Sequence, residues 1–558
     1  MKTRIMCAAV LALVGLGKEF AWGHPDDWPM YQYDVRRTGY VPHANHPINR
    51  TSVATLTPKW VRQLSDSVIA TPVVIQFDDF DPVTDGAQPK KVVYVGSGDG
   101  NFYALDAADG SVVWTFTADP APGIGYHMFV SSAFVDLPRN RLYVAGGFTM
   151  YALDLYQGTL IWKWSTAAHG GGEIETSPLM LNDAAGNGTV YFGSDRDGNM
   201  PGVATRFPAA FAVDAPSGAL KWFWRPSWPD NVDQNGNPQI SGDGDVWASV
   251  AADQAEGLLY LATSDAGRGA QPLYSESVIA LPIALPRPCT EAADTSCLDA
   301  VTLERRSEPP NWYHQPRLVD PYDADFGSTP LLFDRDGKKY LGIGGKDGFY
   351  YVVERQVADV PDTFRHPLWK KRVVQGGFAG GFIGATATDG RRIWGATAMF
   401  DIPTEAQSTF LTPNPLLQPP FLHAFDAVSG SILWQQLGPG PTFGAATVVN
   451  GVLFAASLDS QVMAFDGETG QLLWAAPVLG PSSSGIAISG SEIFVGSGTK
   501  AQGLGLPALN GIQAFALAAN LEETDGLPPS LPPSPWPLGV VKHPDPPIPD
   551  ETEPNPGP

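Results

Sequence analysis

Along most of this chain, short apolar runs alternate with turns rich in Gly, Asp and Asn. Such runs predict β-strands, and the 3.6-residue period of an amphipathic helix is nearly absent. One three-part pattern recurs eight times. Each copy opens with small residues entering an apolar strand, as in Ala70-Thr71-Pro72-Val73-Val74, Ser131-Ser132-Ala133-Phe134-Val135 and Ser328-Thr329-Pro330-Leu331. A second strand leads from a bulky residue into small ones, as in Val93-Tyr94-Val95-Gly96 and Ile493-Phe494-Val495-Gly496. A third closes the unit, as in Phe102-Tyr103-Ala104-Leu105-Asp106. Short strands repeating every 40 to 50 residues or so predict an all-β fold, an eight-bladed β-propeller.

Five of the third strands run on into Asp-x-x-x-Gly-x-x-x-Trp: Asp106…Gly110…Trp114, Asp154…Gly158…Trp162, Asp214…Gly218…Trp222, Asp426…Gly430…Trp434 and Asp466…Gly470…Trp474. Asp starts a tight turn, Gly takes the positive φ, and a fourth strand carries a Trp to the seam between blades. These Trp residues are read as structural. Lys59-Trp60-Val61 is an isolated strand of the same type, expected to complete the blade that Gly511-Ile512-Gln513-Ala514-Phe515 begins. That pairing closes the ring and removes both sheet edges.

The 558 residues divide into four expected parts. Residues 1–23 read as a secretory signal, with Lys2 and Arg4 before the apolar run Ile5 to Leu16 and a cut before His24. Residues 24–54 form an N-terminal extension, 55–520 the propeller, and 521–558 a Pro-rich acidic tail expected to be disordered. The apolar run is too short for a membrane span, so the expected location is periplasmic or secreted. After the signal only Cys289 and Cys297 remain, read as a disulfide stapling a Pro-rich insertion, with metal ligation as the alternative. The net charge of -23 excludes a nucleic-acid partner, since no basic stripe faces phosphates.

Candidate chemistry lies where the repeat is broken. Trp247 begins an inner strand in Asp245-Val246-Trp247-Ala248-Ser249, and Asp265 ends the next strand of that blade. Asp323 and Asp325, in Pro321-Tyr322-Asp323-Ala324-Asp325-Phe326-Gly327, precede the innermost strand of the following blade. Lys346 sits on the turn Gly345-Lys346-Asp347-Gly348, where Asp347 reads as a turn cap. Inner-strand starts and second-strand ends converge at one mouth of a propeller channel. A flat ring, oxygen ligands and a cation there suit a planar anionic cofactor with a metal ion. Asp323 and Asp325 share one face of an extended segment, where like charges call for a cation between them.

With these residues in hand, the chain resembles the quinoprotein alcohol dehydrogenases. The resemblance rests on Asp26-Asp27-Trp28-Pro29-Met30-Tyr31, the Trp turn motifs, Val246-Trp247-Ala248-Ser249, Tyr322-Asp323-Ala324-Asp325-Phe326-Gly327 and Lys346-Asp347-Gly348-Phe349. The stretch Gly376-Gly377-Phe378-Ala379-Gly380-Gly381-Phe382-Ile383-Gly384 looks most like the polyvinyl-alcohol-dehydrogenase branch. The resemblance implies pyrroloquinoline quinone with a calcium or lanthanide ion. It implies that Trp247 is the ring's platform, with Lys346 and Thr176 as further cofactor contacts. It makes Asp265, Asp323 and Asp325 metal ligands, and Asp323 the base that takes the alcohol proton as hydride passes to the quinone. Lys346 would stabilise charge on the quinone oxygens. The substrate would be a small or polymeric alcohol, and electrons would leave to a separate soluble acceptor, since no Cys-x-x-Cys-His encodes a haem site.

Three usual holding groups are missing. There is no vicinal Cys-Cys, Val130 stands where an Arg is common, and Val203-Ala204-Thr205-Arg206-Phe207 lacks the acidic ligand, with Asp195 and Asp197 nearby. A non-catalytic propeller, serving as a binding or assembly scaffold, is therefore the alternative.

Overall fold

In the computed structural model, described residues are 24–80, 88–119, 129–169, 171–195, 208–226, 244–264, 269–270, 274–284, 288–289, 296–299, 305–307, 311–320, 325–356, 364–374, 376, 380–398, 420–438, 440–498, 509–518 and 540–541. Eight antiparallel sheets of four core strands form the blades. Blades 1 to 7 span residues 73–117, 134–165, 179–224, 251–314, 331–372, 387–436 and 447–477. Blade 8 combines Ile486–Ser489, Glu492–Ser497 and Gly511–Leu517 with Leu56–Gln63 from the other end of the chain. Trp60 pairs with Ala514 in that closure. Lys59 and Lys91 both reach Glu492, so the closing strand, blade 8 and blade 1 share one ion cluster.

Trp–Gly contacts join the blades. The Trp60 ring lies against Gly110 and the Trp162 ring against Gly218, so each Trp packs on the turn of the following blade. Trp60 Nε1 donates to the Ala107 carbonyl and Trp162 Nε1 to the Ala215 carbonyl, at 2.8 Å each. The signature therefore works across a seam: the turn of one blade receives the Trp of its predecessor.

The 24–54 extension is threaded beneath the axis. Its backbone exchanges hydrogen bonds with innermost strands in turn: Trp28 with Val74, Pro29 with Val135, Val35 with Ala252, Arg36 with Leu332, Thr38 with Thr388 and Gly39 with Val448. Arg37 is fully buried, and its guanidinium donates to the carbonyls of Val250, Tyr31, Ser177 and Pro178. Tyr40–Val41 then adds a parallel edge to blade 7. The segment clasps seven blades at one end of the channel. Part of the expected disordered tail is also structured, which corrects that reading for two residues. Val540–Val541 pairs with Gln435 and Gln436, because two β-branched residues satisfy the open edge of blade 6. Among the described residues no helix is long and apolar enough to cross a membrane.

Candidate active site

In extended chain successive residues face opposite sides, so residues two apart in the segments leading into the inner strands share the cavity wall. Blade 3 presents Glu175 and Ser177, blade 4 Trp247 and Ser249, blade 7 Phe443 and Ala445. Two tiers result, with bulkier side chains at one level and mainly small or hydroxylic ones at the next. They enclose a cavity of about 380 Å³, within the range of small-molecule sites. Tyr31, from the N-terminal clasp, contributes to its wall. Small hydroxyls knit the second tier: Ser132 N–H donates to Ser177 Oγ at 3.0 Å, and Ser177 N–H to Ser249 Oγ at 2.9 Å.

Three sequence-predicted residues meet beside this cavity. Trp247 Nε1 donates to Asp325 Oδ2 at 3.0 Å, and Lys346 Nζ lies 2.7 Å from Asp325 Oδ1. The Lys346 ammonium stands 5.2 Å from the Trp247 ring centroid. Its own N–H donates to the Asp325 carbonyl at 2.8 Å, which brings the turn of blade 5 onto the segment entering its inner strand. The glycine-rich run explains how closely the chain packs here. Gly376 and Gly381 have φ of +64° and +60°, and a Cβ on either would overlap the Lys346–Asp347 backbone.

Asp347 does cap its turn, accepting from Phe349 N–H at 3.1 Å. It also accepts from the Tyr351 hydroxyl and pairs with Arg317. Burial holds its carboxyl above the usual range despite the Arg317 charge. Asp265 and Asp323 lie outside the described residues, as does Asp197. Asp195 is described, its N–H bonded to the Glu173 carbonyl at 2.8 Å. Thr176 is not a cavity residue. Its hydroxyl bonds to Gly193 N–H and C=O, because alternation turns it away from the axis. Its neighbours Glu175 and Ser177 line the cavity instead.

Glu175 is the residue missed from sequence. It stands two before Ser177, as Trp247 stands two before Ser249, so the frame of the inner strands was the signal that identifies it. It is also the one carboxylic acid among the described residues lining the cavity. Glu175 adds a carboxylate to the wall that Trp247, the partner of Asp325, also lines; among the described residues no three acidic or metal-ligating side chains cluster, so a hard cation would draw further oxygen ligands from outside them. The Ser132 hydroxyl in the same wall is buried and has no hydrogen-bond partner among the described residues, so it can serve a bound group. A platform ring, a cation beside it and oxygen donors fit a planar quinone with a metal ion.

Residues 28–285 match the model of the glucose/ethanol/alcohol dehydrogenase β-propeller domain, and 367–514 that of outer membrane protein assembly factor BamB. A polyvinylalcohol dehydrogenase of Pseudomonas sp. is 25% identical over 437 residues, 73% of this chain and 65% of that protein. Its counterpart from Sphingopyxis sp. (strain 113P3) is 23% identical over 415 residues, 68% of this chain and 59% of the relative. The chain thus spans less than two thirds of the length of these curated relatives. A europium-containing methanol dehydrogenase shares the fold, with a TM-score of 0.62 at 17% identity, covering 89% of this chain and 99% of the other. By these matches residues 28–285 form a β-propeller domain of the glucose/ethanol/alcohol dehydrogenase type, and the chain is similar to the polyvinylalcohol dehydrogenases.

Proposed function

We propose that this protein is an exported quinoprotein dehydrogenase that oxidises an alcohol, small or polymeric, and delivers electrons to a separate soluble acceptor. The observation that carries the reading is the Trp247–Asp325–Lys346 constellation beside the axial cavity. Trp247 offers a flat face, Lys346 a fixed positive charge, and Ser177 with Ser249 hydroxyls for a polar rim. Glu175, Asp325 and, from outside the described residues, Asp265 and Asp323 are the ligands we assign to calcium or a lanthanide. Each Asp325 oxygen keeps a lone pair beyond its present bond. When bound, the quinone accepts hydride and the metal ion acts as Lewis acid. Asp323 takes the hydroxyl proton of the alcohol, and Lys346 holds positive charge where the cofactor's oxygens gain electron density. The clasp beneath, with Tyr31 in the wall, keeps bulk water from the far end of the cavity.

Export rests on the apolar N-terminal pattern. A disulfide between Cys289 and Cys297 is the pairing we assign in that setting: Cys289 is disulfide-bonded, and its N–H donates to the Leu298 carbonyl at 2.9 Å. The polyvinylalcohol dehydrogenase relatives make secondary alcohols the first substrates to test. A scaffold role is the second reading, favoured by the match of residues 367–514 to an outer-membrane assembly factor. Dye-linked oxidation separates them. Protein loaded with quinone and metal should reduce dye only when alcohol is present, and Lys346→Met should abolish it. Dye reduction absent for every primary, secondary and polymeric alcohol would favour the scaffold.

A further inference from the structure

Four segments carry the site residues: 245–249 with Trp247, 263–265 with Asp265, 321–327 with Asp323 and Asp325, and 345–348 with Lys346. Among the described residues, one chain of contacts runs between the two blades, from Asp245 to Asp347. Asp245 N–H donates to Ser264 Oγ at 2.8 Å, and Ser264 N–H to the Asp245 carbonyl at 2.9 Å. Glu276 N–H donates to the Ser264 carbonyl at 2.7 Å. The Glu276 side chain, fully buried, accepts from Arg317 Nη1 at 2.9 Å. Arg317 Nη2 pairs with Asp347, the residue after Lys346. Arg317 itself lies on the connector that leads into Asp323 and Asp325.

We infer that Arg317 is the positioning residue of this site: its guanidinium fixes the Lys346 turn and the Asp325 connector against the blade that bears Trp247. The inference deepens the quinoprotein reading, since it assigns how that site is held, but its contacts are properties of the chain alone. Charge makes the arrangement singular. Glu276 and Asp347 are buried carboxylates on different blades, and a planar guanidinium can donate to both at once along fixed directions. Lysine supplies the charge from a single point and cannot span both in the same way. Glu276 holds a φ of +42°, uncommon for a non-glycine residue, consistent with a backbone constrained by its side chain's partner. Without Arg317 the two carboxylates lose their shared cation, and the turn bearing Lys346 loses its tie to blade 4.

The test uses the full-length secreted protein without cofactor. Lys346 is labelled with an amine-acylating reagent and quantified by mass spectrometry. Lys91, also half-buried and paired with Glu492 on the far side of the ring, serves as internal control. Arg317→Met should raise Lys346 labelling by roughly tenfold or more, the scale of losing one charge-assisted hydrogen bond, with Lys91 unchanged. Arg317→Lys should fall between. Should Arg317→Met not fold, Asp347→Asn removes the same pairing and should raise Lys346 labelling in the same way. Unchanged Lys346 labelling in a folded variant, or an equal rise at both lysines, overturns the inference. Failure of wild-type protein to bind quinone would count against the quinoprotein reading alone, because the labelling needs no cofactor.

Discussion

Replacing Lys346 by Met should expose how the site is balanced. The Lys346 and Asp325 side chains are 12% and 2% exposed, with 2.7 Å between Nζ and Oδ1. At an effective dielectric constant of about 20, two unit charges at this range attract by roughly 6 kcal/mol. Desolvation of both groups offsets most of that, so the intact pair adds little net stability. Removing one partner is different. Asp325 would keep its Trp247 bond but lie buried without a countercharge, a loss of about 3 kcal/mol. Asp325→Asn removes the same pair from its other side and should also destabilise, by about 1–3 kcal/mol. The double variant leaves no orphan charge, so its loss should fall short of the sum by at least about 1 kcal/mol. Urea denaturation followed by Trp fluorescence measures all three. Additive losses, or a Lys346→Met loss below about 0.5 kcal/mol, would refute the claim that these groups form a buried, mutually compensating pair.

Gly218→Ala should destabilise by about 2–4 kcal/mol, since φ is +73° and the new Cβ would meet Trp162 at 2.7 Å; Gly257→Ala, at φ +67° with open space, should cost only about 1 kcal/mol. Equal losses in paired thermal melts would show that the seam contact contributes nothing beyond backbone strain. Arg37→Met should lower stability by about 3 kcal/mol or more, because four carbonyls lose a buried donor that is charged at neutral pH, its pKa pushed down only to about 10 by burial; an unchanged thermal midpoint would contradict the clasp. Burial pushes His314 down to about 4, below its unfolded value near 6.5, so the unfolded chain binds more protons between these values. Its contribution is therefore present above pH 6.5 and is lost as pH falls towards 4, by up to about 3 kcal/mol. His314→Asn keeps a donor for the Arg365 carbonyl and should flatten that slope in denaturation at stepped pH; an unaltered slope sinks the assignment.

The ring was legible because its signals are local. Strand period, turn Gly and Asp, and the Trp four residues beyond Gly all lie within one unit, and each unit repeats. Closure by Trp60 was legible for the same reason. The path of residues 28–39 was not: Arg37 finds its partners at positions 177, 178 and 250, and no periodicity announces such contacts. Within the site, Trp247, Asp325 and Lys346 stood out because they interrupt the repeat. Thr176 faces away from the cavity wall that Glu175 and Ser177 line, and in extended chain one residue makes that difference. Glu175 escaped because a carboxylate was sought near the last strand of blade 3, whereas this one lies in the segment leading into the inner strand. Arg317 escaped because its meaning lies in two carboxylates that meet only after two blades pack.

Titration of the mature protein with pyrroloquinoline quinone, in calcium or lanthanum and followed by Trp fluorescence, tests the central claim most directly. The account expects saturable quenching that requires the metal and disappears in Trp247→Ala and Asp323→Ala. No quenching with either metal, from protein shown to be folded, would contradict it.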